Sequence, residues 1–229
     1  MDAPHHVADF ARLDDVRALA GELLAAHPRI DVLANNAGGV FGDPAKTVDG
    51  FEMTFQVNHL APFLLTRLLM DRLVEGGASV VQTSSVGGRM PGKLDIDDLD
   101  HDRRFSPVRA YGAAKLENIL FTKELHRRYH AQGVSAAAFH PGNVASSFGT
   151  QSDSPVHRFI TTNRVTRAAL LTTPEKGADQ LVWLAEGRPG TDWESGGYYE
   201  KRKPAKTSAQ AADPDLARRL WDRSEKLLA

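Results

Sequence analysis

The sequence predicts an α/β protein with a doubly wound parallel sheet, and three observations support this fold class. Short apolar segments typical of strands alternate along the chain with longer segments that have the 3.6-residue period of helices. Three of the predicted strands run directly into polar turns. The 229 residues are 41% hydrophobic and 25% charged, which suits a soluble globular domain with a sizeable core. We therefore expect one domain over residues 1–229.

The predicted elements alternate strictly, beginning with a strand and ending with a helix. The predicted strands cover residues 5–10, 30–34, 79–83, 134–140 and 196–199. The predicted helices cover residues 14–26, 48–74, 109–129, 174–185 and 213–228. Pro62 predicts a kink or a break inside the second helix, because proline has no N–H to donate. Residues 87–107 are predicted to form a long loop, and residues 145–173 a mobile segment over the site.

The composition of the chain limits the kinds of partner that we expect it to bind. The net charge is −1, which gives no electrostatic reason to expect nucleic acid or an anionic membrane. With no cysteine, disulfides, thiolate nucleophiles and cysteine metal sites are excluded. The N-terminus lacks the pattern of a signal peptide, and no apolar run approaches the roughly 20 residues of a membrane span. A cytoplasmic protein without a metal site is therefore expected.

Tyr111 and Lys115 are the main candidates for chemistry. Four residues apart on a helix, they lie on one face. A nearby ammonium favours phenolate, so we expect it to lower the tyrosine pKa towards neutrality. Tyr199 and Lys203 repeat the spacing, but Pro204 follows them in a charged, turn-like stretch where no sound helix is expected. We predict that the second pair has no catalytic role.

Three turns are expected to meet at one edge of the sheet. Residues 35–38, 84–85 and 141–144 each follow a predicted strand, and the carboxyl ends of parallel strands emerge together. The helix that carries Tyr111 follows the strand that leads into Ser85, so its start lies near the same edge. A hydroxyl, a phenol and an ammonium are thereby placed in one crevice.

These motifs, in this order, resemble those of the short-chain dehydrogenase/reductase family, and in particular its retinol-dehydrogenase-like branch. The resemblance covers nearly the whole chain and implies a Rossmann-type fold. The matching motifs are Asn35-Asn36-Ala37-Gly38, Val57-Asn58-His59-Leu60-Ala61-Pro62-Phe63, Ser84-Ser85, Tyr111-x-x-x-Lys115 and His140-Pro141-Gly142-x-Val144. Each motif is weak alone, and the set is specific.

The resemblance implies the catalytic roles. Tyr111 would be the general acid/base at the carbonyl or alcohol oxygen of the substrate, and Ser85 would hydrogen-bond the same oxygen. Lys115 would lower the pKa of Tyr111 and hold the nicotinamide ribose, while Asn58 would interrupt its helix and position a water. The cofactor would be NAD or NADP, with NADP slightly favoured.

The resemblance also implies a cofactor site. Its residues would be Asp9, Asn35, Ala37, Gly38, Tyr111, Lys115, Pro141, Gly142, Val144 and Ser146. Asp9 could equally be a strand-end or capping residue. The helices over residues 51–74 and 111–129 could serve the core, a homodimer interface or both. The substrate is expected to be a hydrophobic or mid-sized carbonyl compound or alcohol.

The sequence departs from the family pattern at its beginning. A strand, a Gly-x-x-x-Gly-x-Gly turn and a helix, which cradle the cofactor pyrophosphate, have no counterpart, so the first βαβα unit is predicted to be missing. Without it, the predicted strand at residues 5–10 has no neighbour, and we expect residues 1–12 to be detached or packed unusually. Two interpretations remain: an enzyme read from too late a start, or a shortened binding or scaffold protein. In either case we expect these 229 residues to bind the cofactor poorly, if at all, and to show negligible turnover.

Overall fold

The fold is centred on a five-stranded sheet, and the computed structural model describes residues 4–86, 94–142 and 173–229. The strands lie in the order of the chain, with β1 to β4 parallel and β5 antiparallel to β4. They are β1 (Val32–Asn35), β2 (Ser79–Thr83), β3 (Ser135–His140), β4 (Gly197–Glu200) and β5 (Lys203–Pro204). The α/β fold class is confirmed.

Helices cover both faces of the sheet. They are α1 (Leu13–Ala26), α2 (Met53–Phe55), α3 (Ala61–Leu68), α4 (Met70–Gly76), α5 (Pro107–Tyr129), α6 (Pro174–Glu186) and α7 (Pro214–Leu228). On one face, Val80 and Ala136 belong to a core shared with α1, α3 and α5. On the other face, Val81 and Phe139 pack with Leu184 of α6. The sheet is therefore doubly wound, and each side chain's face follows from the two-residue period of its strand.

The second predicted helix is interrupted, and its predicted start at residue 48 is wrong. It begins at Met53, because the side chain of Glu52 accepts hydrogen bonds from the N–H groups of residues 54 and 55 and caps α2. A π-helical turn, Gln56–Leu60, then separates α2 from α3. Pro62 has no N–H to donate to the carbonyl of Asn58 four residues earlier. The predicted break at Pro62 is confirmed.

The predicted strand at residues 5–10 is also wrong. The segment has no strand hydrogen bonds and is mostly exposed, with Val7 91% exposed. It lies against α1, where Nδ1 of His6 is hydrogen-bonded to Oε2 of Glu22 at 2.7 Å. Among the described residues, β1 is an edge strand whose partner is β2. Apolar residues alone do not make a strand, since a strand also needs a neighbour to pair with.

Strand β3 is made of small residues. Ala136, Ala137 and Ala138 are all fully buried at the middle of the sheet. Ala138 belongs to the core shared with α5, whereas Ala137 belongs to the core shared with α6. Because a methyl group is all that β3 presents at these positions, the backbones of the covering helices can approach the sheet closely.

Helix α5 is enclosed by the sheet on one side and by α7 on the other. All residues from 114 to 122 are buried, which is more than two helical turns. Trp221 of α7 stacks on Phe121 at 5.6 Å between ring centroids and meets Phe63 edge-on at 4.9 Å. The face of α5 that carries Phe121 is therefore covered by α7.

Within the described ranges, no helix has both the length and the apolar character needed to cross a bilayer.

Candidate active site

The turns after β1, β2 and β3 meet at one edge of the sheet, as expected. The three strands are neighbours and run in the same direction. The hydroxyl of Thr83 donates to Oδ1 of Asn36 at 2.8 Å, which joins the first two turns. The N–H of Ser84 donates to the carbonyl of Phe139 at 2.8 Å, which joins the second and third strands.

Asn58 fixes the first of these turns to the π-helical segment. Its Oδ1 accepts from the N–H of Gly39 at 3.2 Å, and its Nδ2 donates to the carbonyl of the same residue at 2.9 Å. A Cβ atom on Gly38 would lie 2.4 Å from Oδ1 of Asn58 and 3.4 Å from Nζ of Lys115. Only glycine fits at position 38 without moving Asn58, so the first turn, Asn58 and Lys115 form one packed unit.

Tyr111 and Lys115 lie on the same face of α5, which packs over the end of β2. Nζ of Lys115 lies 5.5 Å from the centroid of the Tyr111 ring. It donates to the carbonyl of Thr83 at 3.2 Å, and Nδ2 of Asn118 donates to the same carbonyl at 3.2 Å. The hydroxyl of Ser84 donates to the carbonyl of Lys115 at 2.7 Å. These contacts hold α5 at a fixed height over the strand that leads into Ser85.

Ser85 connects to two tyrosines. Its side chain is hydrogen-bonded with Tyr111 on α5. Its main-chain carbonyl accepts a hydrogen bond from the hydroxyl of Tyr198 on β4 at 3.2 Å. The hydroxyl and the phenol that were predicted to act on one oxygen atom are thus in direct contact.

Burial shifts both ionisable groups of the pair towards their neutral forms. Desolvation raises the pKa of Tyr111 to about 12, against the smaller lowering effect of the hydrogen bond with Ser85. Desolvation lowers the pKa of Lys115 to about 8, and this side chain is only 2% exposed. The expectation that the pKa of Tyr111 lies below its ordinary value is therefore wrong for this structure, because burial raises it by more than the hydrogen bond with Ser85 lowers it.

The remaining candidates for the cofactor site fall into three groups. Asn35 is buried and donates to the hydroxyl of Thr66 at 3.0 Å, while Ala37 beside it is exposed. Pro141 and Gly142 follow β3, and Gly142 has a φ of 87°, a conformation that favours glycine. Val144 and Ser146 lie outside the described residues, as does the segment predicted to cover the site.

Asp9 is placed in a local turn rather than at a strand end. Its carboxylate accepts from the N–H of Ala11 at 2.9 Å, and its carbonyl accepts from the N–H of Arg12 at 3.0 Å. The turn leads into α1. Asp9 therefore neither ends a strand nor caps α1, whose N-cap residue is Arg12.

Two residues of the site escaped the sequence reasoning. Asn118 lies three residues after Lys115 and seven after Tyr111, so the helical period could have placed it on their face. Tyr198 could not have been found in this way, since it comes from a distant strand. By contrast, Tyr199 and Lys203 lie on β4 and β5, which confirms that the second tyrosine–lysine pair is not helical.

The described residues contain no group of three or more metal-ligating side chains. His126 and His130, which share a face of α5, stack on each other at 4.6 Å, and Nδ1 of His126 is hydrogen-bonded to Ser195.

The chain, with its α/β fold and its tyrosine–lysine pair beside a serine, is similar to known dehydrogenases and reductases. The family model described as short chain dehydrogenase matches residues 2–156. A candidate daunorubicin C-13 ketoreductase from Streptomyces sp. (strain C5) is 44% identical over 219 residues, covering 95% of this chain and 71% of that protein. Human retinol dehydrogenase 14 is 39% identical over 221 residues, covering 96% of this chain and 65% of that protein.

The chain also resembles a solved structure along most of its length. The crystal structure of an uncharacterised protein from Mycobacterium paratuberculosis matches with a TM-score of 0.71 and 33% identity, covering 96% of this chain and 73% of that one. The chain therefore belongs to the short-chain dehydrogenase family, a family of oxidoreductases, and is similar to its retinol dehydrogenases. It spans about two thirds of the length of the retinol dehydrogenase.

Proposed function

We propose that this chain is an oxidoreductase that interconverts an alcohol and a carbonyl compound with NAD or NADP. The observation that carries the proposal is the contact of Ser85 with Tyr111, beside the buried ammonium of Lys115. This arrangement offers two hydroxyls to one substrate oxygen and a positive charge next to them. Membership of the family, established above, supports the same reaction class.

The donors of the site fit a nicotinamide dinucleotide. An ammonium has three protons to donate, and among the described residues Nζ of Lys115 is hydrogen-bonded to the Thr83 carbonyl. The other protons suit the hydroxyls of a ribose. The missing side chain of Gly38 lets the turn after β1 pass close to Asn58 and Lys115, and Ala37 is exposed beside it. We therefore assign Lys115 and this turn to cofactor binding, together with Pro141 and Gly142.

When bound, the cofactor supplies or accepts the hydride at the substrate carbon. With a pKa of about 12, Tyr111 is protonated at neutral pH and can give its proton to the oxygen of a carbonyl substrate. The hydroxyl of Ser85 can hydrogen-bond the same oxygen as negative charge develops there. The charge of Lys115 stabilises the phenolate that remains after the transfer. Carbonyl reduction is the direction that these protonation states favour.

Asn58 supports this chemistry by holding the first turn against the π-helical segment. Since Pro62 donates no hydrogen bond to the carbonyl of Asn58, that carbonyl is suited to hold a water molecule. Such a water could pass protons to Lys115. The names of the relatives, a ketoreductase of daunorubicin and a retinol dehydrogenase, favour a hydrophobic ketone or aldehyde as the substrate of this chain.

The test is turnover of a carbonyl panel with NADPH and NADH, measured by cofactor absorbance. Retinaldehyde, a polycyclic aromatic ketone and a steroid ketone represent the expected class, and an open-chain sugar represents the polar class. Tyr111→Phe should lower kcat by about 10³-fold, since it removes the acid/base without changing the ring. Tyr199→Phe is the control and should stay within a few fold. Wild-type turnover in Tyr111→Phe, or turnover of the sugar alone, contradicts the assignment.

The alternative is a binding or scaffold protein without turnover. Its basis is that these 229 residues contain no Gly-x-x-x-Gly-x-Gly turn and so supply no glycine-rich helix N-terminus of that kind for the pyrophosphate. Titration of the purified chain with NADPH, followed by tryptophan fluorescence, separates the two functions. Micromolar binding supports the enzyme and contradicts the weak cofactor binding expected from the sequence, whereas the absence of binding at millimolar cofactor supports the alternative.

A further inference from the structure

Tyr198 reaches across a whole strand to the candidate active site. It lies on β4 and is 4% exposed, and its hydroxyl donates to the main-chain carbonyl of Ser85 at 3.2 Å. β4 pairs with β3 and not with β2, so the side chain must pass over β3 to reach the residue that follows β2. Ala138 pairs in register with Tyr198 and shares its core cluster. Its small side chain gives the ring of Tyr198 room to lie across β3.

The second tyrosine at Ser85 is Tyr111, the candidate acid/base. The side chain of Ser85 is hydrogen-bonded with Tyr111, and Tyr198 is close enough to Tyr111 to affect its ionisation. The two tyrosines thus hold Ser85 at two points, Tyr198 through its main-chain carbonyl and Tyr111 through its hydroxyl. The two tyrosines come from different elements, since Tyr111 lies on α5 and Tyr198 on β4.

We propose that Tyr198 is a positioning residue, which orients the hydroxyl of Ser85 towards the substrate oxygen by fixing the main chain of Ser85. The proposal rests on the oxidoreductase function given above. The regular pairing between β2 and β3 ends at Thr83, and the N–H of Ser84 makes the next hydrogen bond across to β3. Ser85 lies one residue beyond this ladder. A side-chain donor at its carbonyl therefore supplies a constraint that the sheet does not provide there.

Catalysis makes this constraint useful. A hydroxyl that stabilises developing charge must already point at the oxygen, and an error of about 1 Å can cost about 10²-fold in rate. A rotation of the main chain at Ser85 would carry its hydroxyl with it. The hydrogen bond from Tyr198 opposes this rotation.

The neighbouring residue provides a matched control. Tyr199 lies on the same strand and is as deeply buried, but it belongs to the core on the α6 face of the sheet. Its hydroxyl donates to the carbonyl of Glu194 at 2.9 Å and accepts from the N–H of that residue at 2.6 Å. Tyr199→Phe therefore removes a buried hydroxyl from the same strand without touching Ser85.

Kinetics give the first test. Tyr198→Phe should lower kcat about tenfold, the effect of one lost hydrogen bond, with KM changed by less than about twofold. Tyr199→Phe should leave kcat unchanged. In the Ser85→Ala background, Tyr198→Phe should have almost no further effect, because there is no hydroxyl left to orient. An equal loss in both backgrounds would show that Tyr198 does not act through Ser85 and would overturn the proposal.

A second test does not need turnover. The chain has four tyrosines, so labelling with ¹³Cζ-tyrosine gives four NMR signals that single Tyr→Phe variants assign. Tyr198→Phe keeps the ring and should shift the Tyr111 signal, because the Ser85–Tyr111 hydrogen bond changes. In the Ser85→Ala background the shift should be much smaller, because only the direct effect of Tyr198 on Tyr111 remains, and Tyr199→Phe should not produce it. An unmoved Tyr111 signal overturns the positioning role even in an inactive preparation, whereas missing turnover with a moved signal contradicts the proposed function alone.

Discussion

Lys115→Met is expected to stabilise the protein at pH 7 while it removes activity. Burial lowers the pKa of Lys115 from 10.5 to about 8, so at neutral pH the folded protein carries an ammonium that its surroundings disfavour. A shift of this size corresponds to about 3 kcal/mol of unfavourable free energy in the folded state. Methionine has a similar shape and no charge, so the substitution removes this cost.

The substitution removes little stabilising interaction. The carbonyl of Thr83 accepts from Lys115 and also from Asn118, so it keeps a donor in the variant. The lost hydrogen bond is worth about 1 kcal/mol. We expect Lys115→Met to raise the free energy of unfolding by about 2 kcal/mol at pH 7. The gain should shrink between pH 8 and pH 10.5, because there the unfolded chain binds more protons than the folded chain and the wild type becomes more stable as the pH rises.

Urea unfolding at pH 7 and at pH 10, followed by tryptophan fluorescence, measures both values. Lys123→Met on the same helix is the control, since Lys123 is half-buried and should show a smaller gain. A variant less stable than the wild type at pH 7, or a gain that is the same at both pH values, would show that the buried charge is not the cause. Turnover at the wild-type rate would separately contradict the cofactor role of Lys115.

Two further substitutions test the packing around the site. Gly38→Ala would place a Cβ 2.4 Å from Oδ1 of Asn58, so Asn58 must move and the fold should lose about 2 kcal/mol by urea unfolding. Gly21→Ala in α1 meets no atom within 4 Å and should be neutral or stabilising, and equal losses in both would refute the argument. Trp221→Ala should cost about 3–5 kcal/mol, because it empties the contact between α7 and α5. Light scattering should show a wild-type monomer, and a wild-type dimer that persists in Trp221→Ala would contradict the covering role of α7.

The sequence predicted the parts of the site that depend on order and period. Tyr111 and Lys115 could be placed together because one helix carries both. Ser85 could be placed near them because parallel strands end at the same edge of a sheet. The polar turns were informative because each follows a buried strand.

The rest depended on contacts that no local pattern contains. The pKa of Tyr111 was expected to fall because of a nearby charge, whereas burial raises it, and burial follows from how α5 packs rather than from its spacing of residues. Tyr198 reaches Ser85 only because β3, which lies between them, carries alanines. The segment at residues 5–10 was predicted to be a strand, but no strand of the described part of the chain lies beside it.

The alanines of β3 also determine how close α5, with the candidate catalytic groups Tyr111 and Lys115, lies to the sheet. Ala136 and Ala138 stand between the sheet and α5, and neither takes part in any chemistry. Their side chains set the distance between α5 and the sheet. Across this distance Nζ of Lys115 donates to the carbonyl of Thr83, with 3.2 Å between the two atoms. One added methyl group at either position would lift the helix, and with it the phenol and the ammonium together. The alanines of β3 thus set the spacing between α5 and the sheet, so the alignment of the candidate catalytic groups depends on small side chains in the core.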